Sequence, residues 1–282
     1  MKYCVTTYSF SSYINKTKCN YFEICDLVKE MGFDGIEFID LDKWDKEIDK
    51  VKTAKEIKEY CDKIGLEIVS YTVSGELLNT VPEVEIARLK SCVDIAEILG
   101  VKVMRHDICY PLKKEPLYTY KNAIKEIAPR IREITEYAYT KGIKTCVENH
   151  GFIFQAPERV EELILEVNHL NYGWLCDLGN FLCDDVDPIK GVSIAAPYTF
   201  HVHAKDFLFK SGNLPSIPGF GLVTNGGNYI RGTIIGHGVV PIKACVNALK
   251  KAGYDNYISV EFEGLEDNLE GIRLGLEFLK SI

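Results

Sequence analysis

YTYKNAIKEIAPRIREITEYAYTKGIKTCVENHG, residues 118–151, holds one complete structural unit of this chain. Tyr118–Thr140 has the spacing of a long helix. Gly142 closes it, because glycine tolerates the left-handed conformation at a helix C-terminus. The run from Ile143 to Glu148 is short, apolar and β-branched, which predicts a strand, and it ends on an acid. The unit recurs in both directions. Upstream, helices over Tyr21–Met31, Val51–Ile64 and Glu83–Leu99 stop at Gly32, Gly65 and Gly100. They follow or precede strands over Tyr3–Thr7, Gly35–Ile39, Leu66–Tyr71 and Val101–Arg105. Downstream, helices over Pro157–Val167, Pro188–Ala195 and Pro241–Lys251 alternate with strands over Trp174–Asp177, Phe200–Ala204 and Tyr257–Glu261. Leu269–Lys280 is the last helix.

Eight such units over the chain average about 35 residues each, close to what a barrel of ~250 residues needs. Alternating strands and helices imply a parallel sheet, and eight of them predict a (β/α)8 TIM barrel, one domain over residues 1–282. The rival, a doubly wound open sheet, lacks a Gly-x-Gly-x-x-Gly turn after the first strand. One connection breaks the rhythm: residues 206–236, rich in Pro and Gly, follow the seventh strand. A loop of that length on the face where barrels carry their sites is expected to be a lid.

The balance of 33 basic against 41 acidic residues gives a net charge of -8, which disfavours nucleic acid as a partner. The ten cysteines include no Cys-x-x-Cys pair, so zinc ribbons and thioredoxin-like sites lack support. Thiols such as Cys4, Cys146 and Cys176 lie in apolar runs and fit a reducing cytoplasm. The start has no apolar signal core. Ser211–Ile230 is uncharged but full of Gly, Pro and Asn, so no membrane span is expected.

The strand ends carry the chemistry. They deliver Glu37, then Arg105-His106-Asp107, Glu148-Asn149-His150, Asp177 with Asn180, His201 with His203 and Lys205, and Glu261 with Glu263. Such groups are costly to bury unpaired. Carboxylates and imidazoles at one site suit a bound divalent cation such as manganese, magnesium, cobalt or zinc.

Glu-Asn-His-Gly on the fifth strand, Cys-Asp-x-Gly-Asn on the sixth, His-x-His-x-Lys-Asp on the seventh and Val-Glu-x-Glu-Gly on the eighth resemble the xylose isomerase-like barrels, the sugar phosphate isomerase/epimerase superfamily. Gly236-His237-Gly238 and the following Val-Val-Pro-Ile match the segment before that family's seventh helix. The resemblance covers essentially the whole chain. It implies one metal ion, Mn2+ first, held by Glu148, Asp177, His203 and Glu261. It implies that Glu148 and Glu261 also move the proton of a keto-sugar through an enediolate. Glu37, His150, Asn180 and Lys205 sit where the family touches substrate. His106 and His237 are further acid or base candidates, and Arg231 is a candidate grip for phosphate or carboxylate. His201 is expected to be a hydrogen-bonded core residue. Many members carry His where this chain has Asn180.

The implied activity is a metal-dependent isomerase or epimerase of a small carbohydrate, assembled as a homodimer or homotetramer. The alternative is a dehydratase or lyase on an inosose, a 3-oxo-glycoside or a related keto-polyol; additional acids such as His106 or His237 would favour it. A non-catalytic sugar-binding barrel and an abasic-site endonuclease are the remaining readings. The second of these needs three zincs and a basic groove.

Overall fold

Apolar strands flanked by amphipathic helices have one economical arrangement: strands inside, helices outside. The computed structural model describes residues 1–215 and 218–282. Its strands are β1 (Lys2–Thr6), β2 (Gly35–Ile39), β3 (Glu67–Val73), β4 (Val103–His106), β5 (Lys144–Glu148), β6 (Tyr172–Asp177), β7 (Thr199–Ala204), β8 (Asp206–Lys210), β9 (Leu222–Val223), β10 (Tyr229–Thr233) and β11 (Tyr257–Val260). β1 to β7 and β11 form a closed parallel barrel, with β11 seated between β7 and β1. The helices are α1 (Ser11–Thr17), α2 (Tyr21–Glu30), α3 (Lys50–Ile64), α4 (Pro82–Leu99), α5 (Tyr120–Thr140), α6 (Pro157–Val167), α7 (Pro188–Ala195), α8 (Ile242–Lys251) and α9 (Asn268–Lys280).

Local chemistry fixes the helix ends. Asn20 and Glu23 form a reciprocal capping box at α2, and the Asp49 carboxylate accepts the Lys52 N–H at α3. Gly65 ends α3 at φ +66°, a conformation an L side chain resists. The main core lies between the barrel and its helices and contains Trp174, Phe38 and Phe181. Burying side chains of this kind stabilises by roughly 1.5–3 kcal/mol each. Inside the barrel, Val103, Cys146 and Leu175 form a small apolar floor with Phe200 against it. All ten cysteines are free thiols. Among the described residues, no helix is long and apolar enough to cross a membrane.

Two segments differ from the sequence expectation. A 3-10 turn over Thr7–Phe10 leads from β1 into α1; with Ile14 as its one buried side chain, α1 is too short for its periodicity to register. The 206–236 connection, expected as an irregular lid, folds into an antiparallel sheet in the order β8-β10-β9. Phe207 and Ile230 give it a core of its own with Cys183. Asp206 anchors the return, accepting the N–H groups of Gly236 (2.9 Å), Gly238 (2.9 Å) and Val240 (3.0 Å). Ser216 and Ile217, within the expected lid, lie outside the described residues.

Candidate functional site

Barrel register brings four acceptors together. Asp177 and His203 are directly paired on β6 and β7, Glu148 ends β5, and the Glu261 N–H donates to the Ala204 carbonyl at 3.0 Å. One ligand atom from each of Glu148, Asp177, His203 and Glu261 lies within 4.8 Å of the others, and all four residues are buried.

Each side chain is aimed by its other edge. Asp177 Oδ1 accepts the N–H groups of Gly179 (2.8 Å) and Asn180 (2.7 Å), which leaves Oδ2 buried without a hydrogen-bond partner. His203 Nε2 faces the Glu37 carboxylate at 2.9 and 3.1 Å, which leaves Nδ1 likewise unpartnered and 3.4 Å from Glu261 Oε2. Buried polar atoms are rarely orphaned, and one without a partner costs about 1–3 kcal/mol. Two orphans converging with two further carboxylates fit a divalent metal ion.

The carboxylates are balanced by Arg105 and Lys205. Arg105 reaches Glu148 Oε2 at 2.7 Å and Asp107 at 2.6 Å. Lys205 reaches Glu261 at 2.7 Å, Glu263 at 3.1 Å and Asp177 at 3.6 Å. Burial pushes the Glu148 carboxyl up, but Arg105 and His203 outweigh it and hold it low. Lys205 and His203 do the same for Glu261. Asp177 differs: burial dominates over the pull of Lys205 and lifts it to about 7. Burial disfavours charge on the His203 ring, yet Glu37 and Glu261 raise its pKa well above the usual value.

Glu148 and Glu261 open onto a cavity of about 260 Å3 whose wall also includes Arg105, His150, Lys205 and Glu263, while Asp177 and His203 lie beneath it, outside its lining. Asn180 is buried beside it; its Nδ2–H donates to Glu148 Oε1 at 3.1 Å, and its Oδ1 accepts from Lys205 at 3.4 Å. His150 Nδ1 contacts the Tyr110 hydroxyl and lies 3.4 Å from Asp107. A β-carbon at Gly151 would overlap the Tyr110 ring, so glycine permits that approach. Burial lowers the His150 pKa, but Asp107 and Glu148 reverse the sign.

Three residues expected at the substrate are placed elsewhere. Glu37 is fully buried, accepts from Thr72 Oγ1 at 2.8 Å and holds His201 (2.6 Å) and His203. It lies behind the cluster of Glu148, Asp177, His203 and Glu261, and His201 is buried and hydrogen-bonded to it, as the sequence indicated. His106 points out of the barrel toward the Tyr172 ring, 6.3 Å away, because β4 alternates and Arg105 takes the inward face. His237 is exposed on the turn after β10. Arg231 lies on the neighbouring wall formed by the β8-β10-β9 sheet. Trp44 packs against Tyr21, away from the site. Sequence reasoning missed Arg105 and Tyr8 as cavity residues. The alternation Val103-x-Arg105-x-Asp107 was the available signal, since Val103 lies in the barrel floor.

Known proteins share this fold. An uncharacterised protein of Methanocaldococcus jannaschii is 24% identical over 58% of this chain and 53% of its own length, so the chain spans about half of the curated relative it matches. Three solved structures are similar in fold. The probable 3-DHS dehydratase AsbF of Bacillus anthracis has a TM-score of 0.77 at 19% identity, covering 99% of both chains. The zinc-binding IolI protein has a TM-score of 0.75 at 20% identity, covering 100% of this chain and 97% of its own. D-psicose 3-epimerase of Clostridium cellulolyticum, solved with D-tagatose, has 0.76 at 14%, covering 100% and 99%. The first and third of these are enzymes by name. The family model for xylose isomerase-like TIM barrels matches residues 25–282, and the chain belongs to that family.

Proposed function

We propose that this protein is a divalent-metal-dependent isomerase or epimerase of a keto-sugar or sugar phosphate. The observation that carries the reading is the convergence of Glu148, Asp177, His203 and Glu261 within 4.8 Å, with Asp177 Oδ2 and His203 Nδ1 buried and unpartnered. These four residues would hold the ion, manganese first. When bound, it supplies Lewis acidity to a ketone oxygen and a neighbouring hydroxyl, worth several kcal/mol toward an enediolate.

The chain's own residues do the rest. Glu148 and Glu261 are held in the ionised form, the form that can accept a proton, by Arg105 and Lys205. One carboxylate removes the proton and the other returns it, a role worth roughly a factor of 10²–10⁴. Asn180 and Arg105 fix the Glu148 carboxylate from two sides. Lys205 and His150 line the cavity and orient substrate oxygens. The Tyr110–His150–Asp107 contacts restrict the imidazole to one pose.

The dehydratase reading requires an acid for the departing hydroxyl. His106 and His237 do not line the cavity, so that proton would fall to His150 or Lys205, both of which do. The test is the pair of single variants Glu148→Gln and Glu261→Gln, followed by proton exchange into substrate at saturating Mn2+. Each variant is expected to lose at least about 100-fold in exchange rate, with metal occupancy measured separately. Full exchange activity in both metal-loaded variants would remove the two glutamates from the mechanism.

A further inference from the structure

A second cavity, of about 370 Å3, lies between the β8-β10-β9 sheet and the end of β11. Tyr8 and Glu263 line both it and the cavity over the metal ligands, so the two are neighbours across a shared wall. The inner cavity, at about 260 Å3, falls below the ≈ 300–1,000 Å3 usual for small-molecule sites; together the two fall within it. Phe207 and Phe262 form buried walls of the outer chamber. Leu222 and Leu265 stand at its rim, 49% and 72% exposed.

Arg231 makes this chamber more than a surface groove. Its guanidinium lies over the Phe220 ring, 5.4 Å from the centroid, and its Nε is buried without a hydrogen-bond partner. It makes no ion pair among the described residues. The other arginine over a site, Arg105, spends its charge on Asp107 and Glu148. Glu263, the acid on the shared wall, is engaged by Lys205 at 3.1 Å. A stacked, unpaired guanidinium offers a planar fork that matches the oxygens of a carboxylate or phosphate.

We infer that the outer chamber holds the non-reacting end of the substrate and that this end is an anionic group, phosphate or carboxylate, gripped by Arg231. The inference rests on the isomerase/epimerase reading and narrows its substrate class to acidic sugars, with the apolar rim covering the carbon chain between the two sites.

The test uses the full-length, Mn2+-loaded protein and matched probes: D-fructose and D-tagatose, their 6-phosphates, and D-tagaturonate. Binding is followed by calorimetry and solvent deuterium incorporation by NMR. At least one anionic probe is expected to bind about 10–100-fold more tightly than its neutral partner, the range for hydrogen bonds to a charged group. Which arm gains distinguishes phosphate from carboxylate. Arg231→Leu is expected to abolish the advantage and Phe220→Ala to reduce it, with Mn2+ affinity and circular dichroism unchanged in both. No tighter binding of any anionic probe, or an advantage that survives Arg231→Leu, overturns the inference. Exchange with neutral sugars alone leaves the isomerase reading standing and removes the chamber. Arg231-dependent binding without exchange keeps the chamber and removes the enolising chemistry.

Discussion

Replacing Glu37 by Gln tests how this barrel aims the proposed metal ligand His203. Glu37 is fully buried and makes contacts at 2.6 Å to His201, at 2.9 and 3.1 Å to His203, and at 2.8 Å to Thr72. With His203 Nε2–H donating to Glu37, Nδ1 is presented to Glu148 and Glu261. A glutamine keeps one acceptor oxygen but loses the charge, and its amide must donate to one of the two imidazoles. Removing such an outer partner typically costs 10–100-fold in metal affinity, which is about 1.4–2.7 kcal/mol at 1.36 kcal/mol per tenfold. The expected result is a Mn2+ Kd raised by that factor in calorimetry on metal-free protein. Thr72→Val, which removes one hydrogen bond but leaves the charge, is expected to give a smaller loss. The pH dependence has a definite sign. Glu37 also raises the affinity of His203 for a proton, and that proton competes with the metal. The wild-type advantage is therefore largest at alkaline pH and shrinks as pH falls. Equal Kd values for wild type, Glu37→Gln and Glu37→Leu, with the fold intact, would refute the positioning role.

Three further outcomes follow from the same contacts. Lys205→Met leaves Glu261, Glu263 and Asp177 without their shared cation; its substrate turnover is expected to fall at least tenfold while Mn2+ binding, which restores positive charge, persists. Asn149→Ala strips partners from the Trp174 Nε1–H (3.0 Å), the Asp177 N–H (3.0 Å) and the Asp177 carbonyl (2.9 Å). At about 1–3 kcal/mol per unpaired group and roughly 2–4 °C per kcal/mol, the melting temperature is expected to drop by at least several degrees. Glu85→Gln breaks the carboxylate that binds Arg88 (2.8 Å) and the Glu76 N–H (2.9 Å). Burial raises the Glu85 pKa, but Arg88 brings it below the usual value. Its contribution is therefore present above the unfolded carboxyl range and lost as pH falls through the folded value. The stability gap between variant and wild type is expected at pH 7; it should begin to shrink near the unfolded carboxyl pKa and close once pH has fallen through the lower folded one.

The barrel was legible because each unit carried its own punctuation. Gly32, Gly65, Gly100 and Gly142 stop helices or follow them closely, and the strand ends delivered Glu148, Asp177, His203 and Glu261 in register. Depth along the barrel axis was not legible. Glu37 and Glu148 both follow apolar residues in the sequence, yet Glu37 lies mid-strand in β2, behind the imidazoles, whereas Glu148 ends β5 and faces the cavity. That difference depends on the stagger between strands, which local spacing does not encode. Arg105 was hidden by its neighbours, since Met-Arg-His-Asp offers two more conspicuous candidates, and only the inward face set by Val103 selects it. The sheet of β8, β9 and β10 was masked by the Pro and Gly of its turns, although Phe207-Leu208-Phe209 is the kind of apolar, aromatic run that strands favour.

On the proposed function, this barrel enolises a sugar at a metal that Glu148, Asp177, His203 and Glu261 would hold. The most direct test is solvent deuterium exchange: Mn2+-loaded protein in deuterium oxide with ketoses, ketose phosphates, inososes and 3-oxo-glycosides, followed by NMR. Deuterium is expected at a carbon next to the carbonyl of at least one substrate, and its entry should cease on chelation and in the Glu148→Gln/Glu261→Gln double variant. Tight metal binding with no exchange into any compound, or exchange that survives the double substitution, would contradict the account.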